Sequence, residues 1–228
     1  MAKAADSDRT TRARLDPRVI IEAGLDLAST PGVSSVSVRE LGTRLGADPT
    51  AIYRHFRSKE ALMAALLDEL NARAVASVDV PADQWSERLR ALAISTLEWY
   101  RRHPAIAIEA TSLTTHGAGE LAAVELMLDA FHRAGLRDDE LVRHYALMAT
   151  HVLSVTAGIA RSHAERDGDG DGDGGDENAW FDAPLLADPR AFPLIAANSA
   201  ALADLQDRDL FLMGVDLIIE SAARTAAS

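Results

Sequence analysis

Residues 48–60 read DPTAIYRHFRSKE, a run that mixes short hydroxyl, aromatic, guanidinium and ammonium side chains. Wound as a helix, Ile52 and Phe56 lie four apart and share one inward face. Pro49, Thr50, Ala51, Tyr53, Arg54 and His55 are then left around the other side. Thr50 and Ala51 are short enough to let a helix sit deep in a DNA major groove and touch thymine methyls. Arg54 suits a guanine edge or a phosphate. Ser37, Tyr53, His55 and Lys59 suit the phosphate backbone, where contacts set register but carry no sequence information. Lys59 also adds charge beside the free N–H groups of the helix it starts. Arg9, Arg12 and Arg14 offer an N-terminal arm for the minor groove or phosphates. Taken singly, Tyr53 and His55 read equally as covers over apolar surface, and Arg54 as a solvated side chain.

Such a reader must be held by other elements. Apolar residues recur at helical spacing and no sustained period-2 alternation occurs, so an all-α fold of about ten helices is predicted. Asp16 caps a first helix from Pro17 to Ala28, closed by Thr30-Pro31-Gly32. Ser37 and Glu40 have capping-box spacing and open a second helix that stops at Gly46. Asp48 and Pro49 open a third, over Thr50–Phe56, and Ser58 caps a longer fourth beginning at Lys59. Further helices are expected over Asp83–Arg102, Ala105–Ser112, Glu120–Ala134, Asp138–Ser162, Pro189–Leu205 and Asp209–Arg224. Two short helices joined by a glycine turn, the second one exposed, form a helix-turn-helix. The domains expected are a head of residues 1–60, with 1–14 as a flexible arm, and a helical body of 61–228.

The run Tyr53-x-His55-Phe56 followed by Ser58-Lys59-Glu60, with Val38-Arg39-Glu40-Leu41-Gly42 and Leu45-Gly46 upstream, resembles the tetracycline-repressor family over about residues 15–66. The resemblance implies a transcriptional repressor that binds double-stranded operator DNA as a homodimer and is released by a small-molecule effector. It adds Arg39 as a second base reader, because the matching position often is one. It implies that the eighth and last helices, about 138–162 and 209–224, form a four-helix bundle between subunits. A dimer is also what the physics asks for, since one head reads few base pairs and operators usually need two heads about 34–36 Å apart. In the eighth helix Leu141, Tyr145, Met148, Val152, Val155 and Ile159 form a heptad seam, with Ala146, Ala149, His151, Ala157 and Gly158 on a second, small face. The last helix is apolar nearly all round, as in a helix buried on several sides. Both helices read alternatively as internal core of a monomer.

The resemblance also implies an effector cavity in the body. Trp99, Tyr100, His103, Glu109, Thr111, His116, Met127, Phe131, His144, Met148 and His151 supply apolar walls and polar anchors for one. His103-Pro104 marks a helix break beside it, and Leu62, Leu66 and Leu70 run along the fourth helix, the lever joining head and body. The tetracycline repressor holds a drug–magnesium complex through a His in this region. Ala110 stands at the matching spacing here, so the resemblance supplies no His for that drug or its metal, and no cofactor or metal is expected.

The net charge of −12 divides unevenly. Residues 1–60 hold ten Lys/Arg and eight Asp/Glu, the rest thirteen and twenty-seven. Phosphate attraction is screened over about 8–10 Å, so an acidic body does not stop a mildly basic head from binding DNA. Cysteine is absent, which excludes disulfides. No secretory signal or membrane-length apolar run occurs, and a soluble, cytoplasmic protein is expected. Residues 167–177, DGDGDGDGGDE, begin like a calcium loop, yet position twelve is Asn178 or Trp180 rather than Glu. The stretch 163–179 is therefore read as a flexible linker. Enzymatic chemistry finds no support: there is no HExxH and no nucleophile elbow, and His144 and His151 are seven apart. An activator or an architectural DNA binder would use the same head.

Overall fold

A computed structural model describes residues 15–33, 35–168, 180 and 185–227. The arm 1–14, most of the acidic run and Phe181 lie outside the described residues. Within them there are eleven α-helices and one 3₁₀ turn, and no strand.

The head opens with α1 (Pro17–Ala28), whose cap Asp16 accepts the Val19 N–H at 3.0 Å. Next come α2 (Val38–Leu45) and α3 (Pro49–Tyr53). Gly46 at φ 59 turns the chain between them, as only glycine does without cost. α3 is shorter than Thr50–Phe56. Arg54 already caps it, and Phe56 stays in register through a bond from its N–H to the Ile52 carbonyl. α4 (Lys59–Ala76) then leads into the body.

The body contains α5 (Trp85–Arg102), α6 (Pro104–Ala107), the 3₁₀ turn Ile108–Thr111, α7 (Ala118–Ala134) and α8 (Asp138–Gly168). After these come α9 (Pro193–Ala197), α10 (Ser199–Ala203) and α11 (Asp207–Ala226). The break at His103-Pro104 occurs because Pro104 offers no N–H to continue α5. The expected helix over Ala105–Ser112 is instead a short α-helix that tightens into 3₁₀ geometry. The helix expected over Pro189–Leu205 is two one-turn pieces, interrupted at Asn198, and neither buries a residue. Residues 163–168 continue α8 rather than starting a linker.

Two apolar clusters hold the molecule. The first joins Ile20, Leu25, Leu41, Ile52 and Phe56 of the head to Leu62, Leu66 and Leu70 of α4, and to Tyr100, Ala105, Ile106, Ala107 and Ala110 of the body. The second joins α5, α7, α8 and α11 around Phe131, Met148 and Phe211. Gly24 lets α1 lie against α4, since an added Cβ would fall 2.7 Å from a Leu66 methyl.

The heptad seam on α8 faces the chain's own core. Met148, Val152 and Ile159 are buried in the second cluster, and Leu141, Tyr145 and Val155 pack against it. A period near 3.5 marks the apolar stripe but not its partner, and here that partner is α5, α7 and α11 of the same chain. The outward apolar residues are Val142 and Leu147 on α8 and Met213 and Leu217 on α11, each more than half exposed.

Candidate nucleic-acid interface and effector groove

α2 and α3 are set at their angle by a close backbone approach. A Cβ on Gly42 would meet the Ala47 carbonyl oxygen at 2.8 Å and the Pro49 ring at 3.4 Å. The Ala47 N–H donates to the Gly42 carbonyl at 2.9 Å, which closes the turn. Ser37 caps α2 by accepting the Glu40 N–H at 3.4 Å. Ser58 caps α4 by accepting the Ala61 N–H at 3.1 Å. Both expected inward residues, Ile52 in α3 and Phe56 just beyond it, are buried.

Their burial turns the remaining side chains outward. Arg39, Thr50, Tyr53, Arg54, His55 and Lys59 are exposed, and Ser37, Pro49 and Ala51 are half-buried. Tyr53 stands 46 % exposed, a large share for an aromatic ring. Arg39, Arg54 and Lys59 form no ion pair among the described residues. Asp48, missed as anything but a cap, accepts two bonds on one oxygen: the Thr50 N–H at 2.8 Å and the Thr50 hydroxyl at 2.6 Å. Those bonds hold its carboxyl below the ordinary carboxylate range, the hydroxyl contributing most.

The effector candidates are scattered rather than gathered. Trp99 stacks on His103 with ring centroids 5.7 Å apart, and the Arg73 and Arg102 guanidiniums lie over it. His103 is buried, with Nδ1 2.8 Å from the Trp99 carbonyl oxygen. Burial, aided by Arg73 and Arg102, lowers its pKa. Tyr100 is fully buried and donates to Asn71 Oδ1 at 3.1 Å. Met127, Phe131 and Met148 belong to the second core. His144 packs on Phe131 with Nε2 3.4 Å from Ser221 Oγ. His151 stacks flat on Phe211, with Nε2 3.0 Å from that residue's carbonyl oxygen. Glu109 and His116 are exposed.

An open groove of about 330 Å³ lies elsewhere, between the 3₁₀ turn and α8. Its walls are Ala110, Thr111, Tyr145, Ala146, Ala149, Thr150, Leu153 and Ser154. Of the effector candidates only Thr111 touches it. Tyr145, read as seam, packs on the second cluster and also lines the groove. Small residues on α8 signal the groove: Ala146 and Ala149 are too short for their own side chains to fill the space beside them.

A second site missed from sequence ties α4 to α7. Asp68 accepts the N–H groups of Gly119 at 3.1 Å and Glu120 at 2.9 Å, and its Oδ1 lies 2.8 Å from the Thr115 hydroxyl. Glu120 in turn accepts the N–H groups of Thr115 and His116, both at 2.7 Å. The two helices touch backbone to backbone, for a Cβ on Gly119 would fall 2.0 Å from the Asp68 carbonyl oxygen. Asp68 sits mid-helix, so no capping pattern in the sequence gives it away.

Comparison with known proteins decides the family. Residues 20–66 match the model for bacterial regulatory proteins of the tetR family, and residues 79–223 match the tetracyclin repressor-like C-terminal domain. The chain belongs to the tetR family. Among its TetR relatives, the tetracycline repressor protein class A from transposon 1721 of Escherichia coli is 26 % identical over 215 residues, 92 % of each chain. The HTH-type transcriptional repressor DrrR1 of Streptomyces coeruleorubidus is 29 % identical over 143 residues, 63 % of this chain and 52 % of that protein. This chain thus spans about half the length of DrrR1. The TetR regulator SCO7222 of Streptomyces coelicolor shares the fold at a TM-score of 0.70, with 23 % identity over 92 % of this chain and 98 % of that one. ActR of Streptomyces coelicolor, solved in complex with actinorhodin, does so at 0.73, with 19 % identity over 95 % of this chain and all of the other. The helix-turn-helix is therefore the DNA-binding head of a TetR regulator. No described helix is long and apolar enough to cross a membrane.

Proposed function

We propose that this chain is a cytoplasmic, effector-released repressor that binds a palindromic operator as a homodimer. Arg54 and Arg39 read base edges, Thr50 and Ala51 approach the groove floor, and Ser37, Pro49, Tyr53, His55 and Lys59 hold the backbone. The outward Val142, Leu147, Met213 and Leu217 support a dimer through α8 and α11, because a second copy removes four apolar side chains from water. Relatives named as repressors, and the ligand complex of ActR, support repression under effector control.

One observation carries the mechanism. Ala110, a wall of the groove, belongs to the apolar cluster that contains Leu66 of α4 and Ile52 of the reading helix. A molecule wedged between Thr111 and Tyr145 presses on a turn packed against the lever itself. If it binds better to a form with the heads displaced, it draws the population from the operator-fitting form. A coupling of about 1–3 kcal/mol changes operator affinity roughly 5–150-fold.

The test is selection of bound fragments from a random DNA pool, with the mass of the complex measured in solution. A palindrome bound by two chains is expected. A monomer bound to an asymmetric site overturns the reading.

A further inference from the structure

We infer that Asp48 is a specificity-determining residue: by accepting the hydrogen bond of the Thr50 hydroxyl, it leaves Thr50 only a methyl group and oxygen lone pairs to present to a base, and so excludes guanine from the position beneath. This rests on the assignment of α3 as the reading helix.

The geometry leaves the hydroxyl one role. Asp48 Oδ1 lies 2.6 Å from Thr50 Oγ1 and 2.8 Å from the Thr50 backbone nitrogen. An ionised carboxylate has only lone pairs, so the hydroxyl must be the donor. Asp48 is exposed and its carboxyl titrates below the ordinary range, so it is ionised wherever the protein is near neutral pH. The bond is short and charge-assisted, the kind that costs most to give up. Turning the proton toward DNA would break it.

What remains is readable against the base edges. Guanine shows two acceptors in the major groove, N7 and O6, and needs a donor. Thymine shows a methyl group, and adenine and cytosine show amino donors. A threonine whose proton is engaged meets the thymine methyl with its own methyl, or accepts from an amino group. Facing guanine, it sets lone pair against lone pair. A threonine in the same place with a free proton would tolerate all four bases. Asp48 touches no base in this account and acts through Thr50.

The experiment compares DNA selected from one random pool by the full-length wild-type chain, Asp48→Ala, Asp48→Asn, Thr50→Val and the double variant Asp48→Ala/Thr50→Val. The wild-type half-site is expected to lack guanine at one position. Asp48→Ala, which frees the proton, should admit guanine there by about fivefold or more relative to wild type. Asp48→Asn keeps a side-chain oxygen for the hydroxyl and the helix cap, and should keep the exclusion. Thr50→Val keeps a methyl and no donor, and should keep it too. In the Thr50→Val background, removing the Asp48 carboxylate should change no base preference. Where thymine is selected at that position, deoxyuridine in its place should weaken binding to wild type and Thr50→Val alike. The inference is overturned if Asp48→Ala selects the wild-type bases throughout, or if it still shifts preference in the Thr50→Val background, since the carboxylate would then act on the DNA directly. A wild-type chain that selects no sequence at all overturns the reading-helix assignment along with it, whereas a wild-type palindrome unaltered in Asp48→Ala overturns this inference alone.

Discussion

The head and the body are built from the same kinds of helix yet treat their polar side chains in opposite ways. In the head, Arg39, Thr50, Tyr53, Arg54, His55 and Lys59 stand in solvent, and only aliphatic groups and Phe56 turn inward. In the body, Tyr100, His103, His144, Ser95 and Thr156 are buried, each with a hydrogen-bonding partner. That surface leaves most of its polar side chains unspent, as the proposed contact with a duplex requires, Thr50 excepted because its hydroxyl is bonded to Asp48. A body that is to pass on the proposed displacement needs its polar groups tied, because an unpaired buried group is costly and a loosely tied one gives way. The seam between the regions is not a gap, since α4 contributes to one continuous core on both sides.

That continuity gives the most disruptive test. Leu66 of α4 is fully buried in the first cluster, with its methyls against Gly24 of α1. Leu66→Ala should cost about 2–5 kcal/mol. Urea unfolding followed separately by probes in head and body should shift together; a head that melts alone would break the picture of a shared core. Asp68→Ala removes the acceptor for two N–H groups at the start of α7. A loss of about 1–3 kcal/mol is expected in the same measurement. Its effect on DNA affinity in the absence of effector should be small, because the reading helix is untouched.

The contrast sharpens when each region is altered by itself. Ala149→Phe places a ring in the groove and should leave operator binding intact. In a compound screen by thermal shift, molecules that stabilise the parent should fail to stabilise this variant. Those molecules should weaken the parent's operator binding roughly 5–150-fold. Stabilisation of both proteins alike would move the effector site elsewhere. In the head, Arg54→Ala should cost about 1–3 kcal/mol at one base position and relax preference there. Lys59→Ala should weaken all sequences equally and flatten the salt slope by about 1. Equal behaviour of the two variants in a salt titration would erase the division between reading and holding.

The smallest expected effect is a pH dependence at the junction. Burial, then Arg73 and Arg102, keep His103 below its ordinary 6.5, against the pull of the Trp99 carbonyl. The unfolded chain takes up this proton as pH falls through about 6.5, while the folded chain resists it. Stability is therefore highest above that value and declines below it until the folded ring is protonated. His103→Phe should make the acid slope of the thermal midpoint shallower while keeping an aromatic ring against Trp99. An unchanged slope would assign it to the carboxylates.

Legibility also differed between head and body. In the head the signals are local: Asp16, Ser37, Asp48 and Ser58 each cap the helix that their sequence position announces, because a cap bonds to an N–H two or three residues away. In the body the signals are ambiguous. The α8 stripe of Leu141, Tyr145, Met148, Val152, Val155 and Ile159 is real, but a period describes one helix and says nothing of what faces it. Likewise the residue types suited to an effector pocket are those suited to a core. Phe131 and Met148 went to the core, and Thr111 and Tyr145 to the groove.

By itself the amino-acid order determined the helical fold, the helix-turn-helix with its outward polar face, and the break at His103-Pro104. All of these depend on interactions within a few residues or on the presence of proline. Only the tertiary structure decided which side of α8 is turned inward, where the groove opens, and that Asp68 bridges two helices some fifty positions apart. Those outcomes follow from which surfaces meet in three dimensions, and residues distant in the chain settle that jointly through the apolar area they bury.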